Sequence, residues 1–310
     1  MTLISEDLIS WLLQGDVSIQ YQTYRDLLNI EKPGLRDKIA TEGWGKAYLS
    51  LRKSSGHWGH SFYQPKWTCS HYTLLELKNL SISPDNKDIR DTLQMIFRNN
   101  KCQDGGINPV GSIKQSDVCI NGMVLNYAAY FGVEESDLES VVDFLLSQHM
   151  KDGGFNCHSN RKGATHSSLH TTLSVMEGIL EYHRNGYQYR IEELKKATAQ
   201  CQEFILIHRL FRSDKTGDVI KLAFLKFHYP CRWYYDILKA LDHFQDARIA
   251  YDERISDAIE YMLRKRSQSG QWLLAAKHPG TVHFDMETSG KLSRWNTLRA
   301  LRVLKHCGRL

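Results

Sequence analysis

The sequence predicts an all-α protein, an (α/α)6 toroid in which six helix-hairpin repeats form a double ring of inner and outer helices. The first observation is a glycine loop that follows an amphipathic helix and precedes a more apolar one, at residues 55–58, 104–107, 152–155 and 269–272. Gly56, Gly105 and Gly153 are separated by 49 and then 48 residues, a period that fits a helix, a turn, a second helix and a connector. The glycines predict tight reversals, and the apolar residue after them fills the space between repeats.

The second observation is an alternation of two kinds of helix. Six predominantly apolar helices are predicted to start near residues 20, 68, 117, 167, 232 and 295, and they form the inner ring. Charged stretches with a 3.6-residue period at 88–97, 138–146, 191–210 and 255–263 predict outer helices with one solvated face. The terminal repeats are as apolar as the middle ones, which favours a closed ring over an open solenoid with polar capping repeats.

Composition indicates one large domain over residues 1–310. The chain is 42% hydrophobic and 24% charged, and its net charge of +5 is spread among acids, which argues against a nucleic-acid partner. Residues 1–15 lack a basic segment and predict a helix, not a signal peptide, and no apolar run is long enough for a membrane span. Seven scattered cysteines indicate a reducing cytoplasm, while the oligomeric state stays open.

The glycine loops resemble those of the prenyltransferase and squalene-cyclase superfamily, and the resemblance extends over essentially the whole chain. Residues 104–106, followed by Asp117 and Cys119, are similar to the segment of protein prenyltransferase β subunits that supplies an aspartate and a cysteine to a catalytic zinc. The family's third ligand is a histidine directly before a threonine near the start of the next inner helix. His170 stands there, with His166 one turn earlier. The resemblance therefore implies a Zn²⁺ ion held by Asp117, Cys119 and either His170 or His166.

Such a zinc site is chemically coherent. The positive end of a helix dipole favours the two anionic ligands, and three protein ligands leave the fourth position for water or a substrate thiol. The family also surrounds a prenyl diphosphate with basic residues and a tyrosine. Lys114 matches one of these, whereas Gly111 replaces an expected arginine and Ile120 an expected tyrosine.

Polar and aromatic side chains collect where the predicted inner helices begin, which should be the mouth of the ring. Asp236, His283 and Glu287 are candidate catalytic groups. The candidate substrate-binding residues are Lys114, Arg232, Arg294, Lys66, Trp67, Tyr72, Tyr235 and Trp295. Arg232 and Asp236 are also spaced for a salt bridge on one helix face, and packing between helices explains each aromatic residue alone better than substrate binding does.

The sequence thus predicts a prenyltransferase-like enzyme that uses a zinc-activated nucleophile on a small anionic or isoprenoid ligand, such as a prenyl diphosphate. Three alternatives stay open. The first is a terpene-cyclase-like enzyme, although the chain has no Asp-x-Asp-Asp run to act as the acid that such enzymes use. The acidic residues at 85–88 are explained by helix capping. A polysaccharide-processing toroid would use Asp236 and Glu287 as paired carboxylates. A non-catalytic toroid would bind a lipid or a protein.

Overall fold

The computed structural model describes residues 4–109 and 114–310, and it is mostly helical. In chain order the helices are α1 Glu6–Leu13, α2 Val17–Gln22 with a π-helical extension Thr23–Leu27, α3 Pro33–Lys38, α4 Gly43–Ser50, α5 Ser70–Asn79, α6 Lys87–Asn99, α7 Val118–Tyr130, α8 Glu135–Ser147, α9 Ser159–Lys162, α10 Leu169–Arg184, α11 Ile191–Ile207, α12 Ile237–Asp246, α13 Ser256–Arg264 and α14 Arg294–His306. The two strands β1 Trp272–Leu273 and β2 Leu292–Ser293 pair antiparallel. None of the helices in these described ranges is long and apolar enough to cross a membrane.

The predicted division into apolar and amphipathic helices is confirmed by burial. Helix α7 is buried along nearly its whole length, whereas α6 buries one face, with Ile89, Leu93 and Ile96 among the buried residues. Helices α7 and α10 pack closely because both carry glycine at the crossing. A Cβ atom on Gly122 of α7 would lie 2.8 Å from the carbonyl group of Ser174 on α10. Without side chains at this point the two backbones can approach, so the glycine determines how tightly these inner helices pack.

The four glycine loops share one hydrogen-bonding pattern. The backbone N–H of the apolar residue after the glycine donates to a polar side chain on the inner helix that follows. Two of these bonds run from Ile107 to Asn121 Oδ1 at 2.7 Å and from Phe155 to Thr172 Oγ1 at 2.9 Å. Gly105 and Gly153 adopt φ values of 90° and 92°, which only glycine takes without strain. The repeat predicted from spacing is therefore a repeat of structure.

The apolar helices contact one another in sequence order. Helix α5 packs on α7, α7 on α10, and α12 on α14. An ion pair between Glu177 and Lys239 joins α10 to α12 at 3.1 Å. Helix α14 also packs against α2 and its π-helical extension, so the last apolar helix lies beside the first.

One predicted helix start is wrong by several residues. Helix α12 begins at Ile237, not near residue 232, because Asp236 is its N-cap and accepts a hydrogen bond from the backbone of Lys239 at 2.8 Å. Arg232 lies before the helix with φ at 54°, a left-handed conformation. The two residues therefore do not share a helix face, and the salt bridge expected between Arg232 and Asp236 is not among the ion pairs of the described residues.

Candidate functional site

A cavity of about 1000 Å³ lies among the apolar helices. Its mouth is formed by exposed residues at or beyond the ends of these helices, including Asn29, His183 and Arg248. Its buried lining includes Arg232 and Trp295, which lie near the starts of α12 and α14. The cavity therefore opens at the carboxyl ends of the helices, opposite to the end where the sequence predicted a mouth. At that other end, the loops that carry Trp67, Tyr234 and His278 contact one another.

The cavity wall is charged. Eight arginine and lysine side chains and six carboxylates line it, and most of them form ion pairs between helices. Arg302 of α14 bridges Asp26 of the π-helical turn at 2.9 Å and Asp242 of α12 at 2.8 Å. Lys78 of α5 contacts Glu181 of α10 at 2.9 Å. These pairs satisfy the buried charges and connect the helices around a polar interior.

Arg232 differs from the other cations deep in the wall. Its side chain makes no hydrogen bond or ion pair with any residue that the structure describes, although only 7% of its surface is exposed. The guanidinium carbon lies 4.2 Å from the ring centroid of Trp67, a cation–π contact that supports the group from one side. Burial lowers the pKa of Arg232 despite the neighbouring Glu76 carboxyl. The guanidinium hydrogen bonds are therefore available to a ligand.

Glu76 of α5 is the carboxyl group with the largest electrostatic effect on Arg232. It is 3% exposed, and neither carboxylate oxygen has a hydrogen-bond partner within the described part of the chain. Burial raises the pKa of Glu76 to about 7, although Arg232 and Lys239 act in the opposite direction. This carboxyl can therefore gain or lose a proton near neutral pH.

Five side chains that line the cavity carry a buried polar atom with no partner among the described residues. These atoms are Asn126 Oδ1, Tyr229 Oη, His243 Nε2, Trp295 Nε1 and Arg302 Nε. Burial lowers the pKa of His243, so its imidazole is neutral near pH 7. Such groups are costly to bury unless they bond to something, and together they offer both donors and acceptors to a polar molecule.

Two of the predicted binding residues, Arg232 and Trp295, are brought to this cavity. Trp295 is 1% exposed and stacks on Tyr229 with ring centroids 4.4 Å apart. The ring of Trp67 contacts the guanidinium of Arg232, and Trp67 Nε1 donates a hydrogen bond to the carbonyl of Pro279 at 2.6 Å. Tyr235 donates from its hydroxyl to the carbonyl of Leu210 at 2.5 Å, so it is a packing residue.

The other predicted residues lie away from the cavity lining. The hydroxyl of Tyr72 pairs with that of Tyr63 at 3.0 Å, and the exposed Lys66 lies 4.6 Å above the Trp67 ring. Lys114 is exposed in the loop before α7. His283 Nε2 lies 3.0 Å from Thr73 Oγ1, and burial lowers the pKa of this histidine to about 4.

Asp236, Glu287 and Arg294 hold helix termini in the structure. Glu287 accepts hydrogen bonds from the backbone of Arg294 at 2.6 Å and from the hydroxyl of Ser293 at 2.5 Å, at the start of α14. Arg294 donates from Nε to the carbonyl of Trp11 near the end of α1, at 3.0 Å. Asp236 caps α12 as described above. Each carboxylate thus has a helix N-terminus as partner, and the pair predicted for glycan chemistry is engaged in capping.

The predicted zinc ligands do not assemble into a metal site. Asp117 is the N-cap residue of α7. His170 Nδ1 is already engaged, because it accepts a hydrogen bond from the backbone N–H of Tyr235 at 2.9 Å. His166 is exposed. No three histidine, cysteine, aspartate or glutamate side chains of the described residues are close enough to hold an ion together. These residues do not fit a three-ligand zinc site, and Gly111 lies outside the described residues.

Sequence reasoning missed Glu76, His243 and the ion pairs of the cavity wall. A signal was present, because Glu76 lies between Leu75 and Leu77 in an otherwise apolar helix. Arg299 and Arg302 likewise interrupt the apolar pattern of α14. A charged residue on the buried face of an inner helix indicates a polar interior, and Glu76, Arg299 and Arg302 lie beyond the helix starts where the candidate residues were predicted.

Comparisons with known proteins support the fold. No protein-family model and no curated protein matches the chain. Among solved structures, an aspartate-to-asparagine variant of the type II terpene cyclase MstE from Scytonema, in complex with geranylgeranyl dihydroxybenzoate, has a TM-score of 0.51 at 12% identity and covers 96% of this chain and 88% of its own. An aspartate-to-alanine variant with merosterolic acid A has a TM-score of 0.50 at the same identity and coverage. A polysaccharide lyase has a TM-score of 0.51 at 12% identity, covering 98% of this chain and 96% of its own. The chain therefore has the α/α-toroid type of fold found in terpene cyclases.

Proposed function

We propose that this chain is a six-repeat (α/α)6-toroid enzyme that binds a small polar anion in its central cavity and carries out acid–base chemistry on it. The neighbour order of the apolar helices, with α14 beside α2, supports the closed ring. The terpene cyclases and the polysaccharide lyase of similar fold are enzymes, which supports a catalytic role for the cavity.

Arg232 is the observation that carries the proposal. A guanidinium that is buried without a hydrogen-bond or ion-pair partner is unfavourable, and an anionic substrate group would supply both the charge and the acceptors it lacks. Its side chain belongs to the buried part of the cavity lining. The anionic part of the substrate therefore pairs with Arg232, and its remaining polar groups face Asn126, Tyr229 and His243.

The proton-transfer groups follow from the same geometry. His243 is neutral, and its unpartnered Nε2 makes it the candidate base. Glu76 is buried outside the cavity lining and interacts electrostatically with Arg232. When Glu76 is protonated, Arg232 is left to the substrate anion, and when Glu76 ionises it competes for the same guanidinium.

An acidic glycan is the substrate class that these features favour. Its carboxylates match Arg232, and its hydroxyl groups match a wall of charged and amide side chains. Pairing a uronate carboxylate with Arg232 would acidify the neighbouring C–H bond, so that a base can remove the proton as the glycosidic oxygen leaves. The polysaccharide lyase of similar fold makes this class a natural first choice.

Prenyl transfer is the second candidate, because a diphosphate would also satisfy Arg232. The structure disfavours a long isoprenoid tail in this cavity, since the tail would lie against ion pairs such as Arg302 with Asp26 and Asp242. The zinc ion predicted from the sequence stays a prediction, and no step proposed for this chain passes through it.

Calorimetric titration with an acidic oligosaccharide, a diphosphate and a prenyl diphosphate tests the proposal. We expect the oligosaccharide to bind to the wild-type protein and Arg232→Met to weaken that binding at least about 10-fold, as expected for a charge-assisted hydrogen bond. Arg98→Met, on the exposed face of α6, is the matched control and should bind normally.

Turnover of the same oligosaccharide, followed by the ultraviolet absorbance of an unsaturated product, then tests the chemistry. His243→Gln should abolish turnover while binding persists. Tighter binding of the prenyl diphosphate than of the oligosaccharide would favour the transferase. Anion binding that is equal in Arg232→Met and wild type would reject this site altogether.

A further inference from the structure

Two cysteine residues are in contact at the end of the molecule where the glycine loops lie. Cys119 is in the first turn of α7, and Cys157 follows the third glycine loop, ahead of α10. The backbone N–H of Cys119 donates to Cys157 Sγ at 3.0 Å, and Thr171 Oγ1 donates to the same sulfur at 3.5 Å. The Cys157 sulfur therefore lies against the first turn of α7, beside Cys119.

The other five cysteines have different surroundings. Cys69, Cys201 and Cys231 are buried, whereas Cys119 and Cys157 are both partly exposed. Cys102 and Cys307 are also partly exposed, but the thiol of Cys102 contacts the carbonyl of Lys114 and the amide of Asn108. Among the described cysteines, the two on α7 and after the third glycine loop are therefore in contact with each other, and neither residue is fully buried.

We propose that Cys119 and Cys157 form a redox-active dithiol, which a low-molecular-weight disulfide converts into an intramolecular disulfide. The Cys157 thiolate attacks one sulfur of the external disulfide, whose S–S bond breaks as the first thiolate leaves. Deprotonated Cys119 then attacks Cys157 Sγ and releases the second thiolate. The two cysteines are oxidised, the reagent is reduced to two thiols, and the two cysteine protons end on those thiols.

The geometry favours this closure. Cys157 Sγ already lies 3.0 Å from the backbone nitrogen of Cys119, and the disulfide needs the two sulfurs at about 2.0 Å. Cys119 is held by helix α7, and Cys157 is on a loop, so the small approach falls on the loop. The product would tie the start of α7 to the loop before α10. This inference does not depend on the proposed function, because neither cysteine lines the cavity.

The test uses the purified full-length protein with oxidised glutathione and peptide mass mapping. Trypsin separates the two cysteines into the adjacent peptides 115–151 and 152–161. We expect a cross-linked peptide pair that is lighter than the sum of its parts by about 2 Da and that dithiothreitol resolves. Cys157→Ser should abolish the cross-link, and Cys119→Ser should leave Cys157 as a mixed disulfide with glutathione. Cys307→Ser is the matched control and should retain the cross-link.

Three results would overturn the proposal. The first is glutathione on one or both cysteines of the wild-type protein at equilibrium, without the cross-link. The second is a cross-link that involves Cys102 or Cys307 instead. The third is a pair that resists oxidation until a chelator removes a metal ion, which would restore the zinc interpretation of Cys119. None of these readouts requires enzymatic activity, and the wild-type mapping does not depend on the folding of a variant.

Discussion

Replacing Glu76 with glutamine should change how the stability of the protein depends on pH. The pKa of Glu76 rises from its ordinary value of 4.5 to about 7 in the fold, because burial penalises the charged form more than Arg232 and Lys239 stabilise it. Between these two pH values the folded protein holds a proton that the unfolded chain has lost. Stability therefore falls as the pH rises through this interval, and the full loss is about 3 kcal/mol.

Urea denaturation monitored by circular dichroism, at pH values from 4.5 to 8, measures this effect. The difference in unfolding free energy between Glu76→Gln and wild type isolates Glu76, because the other titrating groups are common to both proteins. We expect this difference to move by about 3 kcal/mol in favour of the glutamine variant as the pH rises from 4.5 to 8. Glu139→Gln, on the exposed face of α8 and outside the ion pairs of the described residues, is the matched control and should give a nearly constant difference. A constant difference for Glu76→Gln as well would refute the raised pKa and the charge arrangement proposed around Arg232.

Further predictions concern binding, packing and metal content. The affinity of the cavity for an anion, measured by calorimetry, should fall as the pH rises through about 7 in the wild type and stay level in Glu76→Gln, because the ionised carboxylate competes for Arg232. Arg302→Met should lower the unfolding free energy by about 3–5 kcal/mol, since Asp26 and Asp242 would lose a shared cation, and a urea-measured loss below about 1 kcal/mol would show that the network contributes little. Gly122→Ala should destabilise the fold by about 1–3 kcal/mol because its Cβ would press on Ser174, whereas Gly34→Ala, which has open space, should not. Elemental analysis of protein purified without chelator measures zinc directly, and a stoichiometric ion that Cys119→Ser loses would support the metal prediction.

The helices could be predicted well because their signals are local. The apolar and amphipathic periods place α7, α8, α10 and α14 within a few residues of their observed bounds. The start of α12 was misplaced because Arg232 adopts a left-handed conformation, which the sequence does not indicate for an arginine. The glycine loops were predictable because each has a glycine shortly before a large apolar residue, a pattern that is typical of a tight turn.

The candidate site was predictable only in part, because it depends on which end of the ring the loops fill. The sequence shows that Arg232 and Trp295 lie near helix starts, and both do line the cavity. It does not show that the long connections around residues 208–236 and 265–293 cover that end, so that the cavity opens at the carboxyl ends of the helices. The partners of Asp236 and Glu287 were similarly hidden, since a carboxylate before a helix can be a cap or a catalyst with the same spacing.

Several unfavourable features coincide at Arg232, and their coincidence is the strongest reason to place a ligand there. Its backbone is left-handed, which costs a non-glycine residue about 1 kcal/mol or more. Its charge is buried while the surrounding arginines have carboxylate partners. The one carboxyl that affects it most, Glu76, is itself buried and holds its proton up to a pH of about 7. Packing alone would be served better by an apolar side chain in a relaxed conformation. A bound anion accounts for all three features at once, because it needs a strong donor, a fixed direction and a neutral carboxyl near the donor.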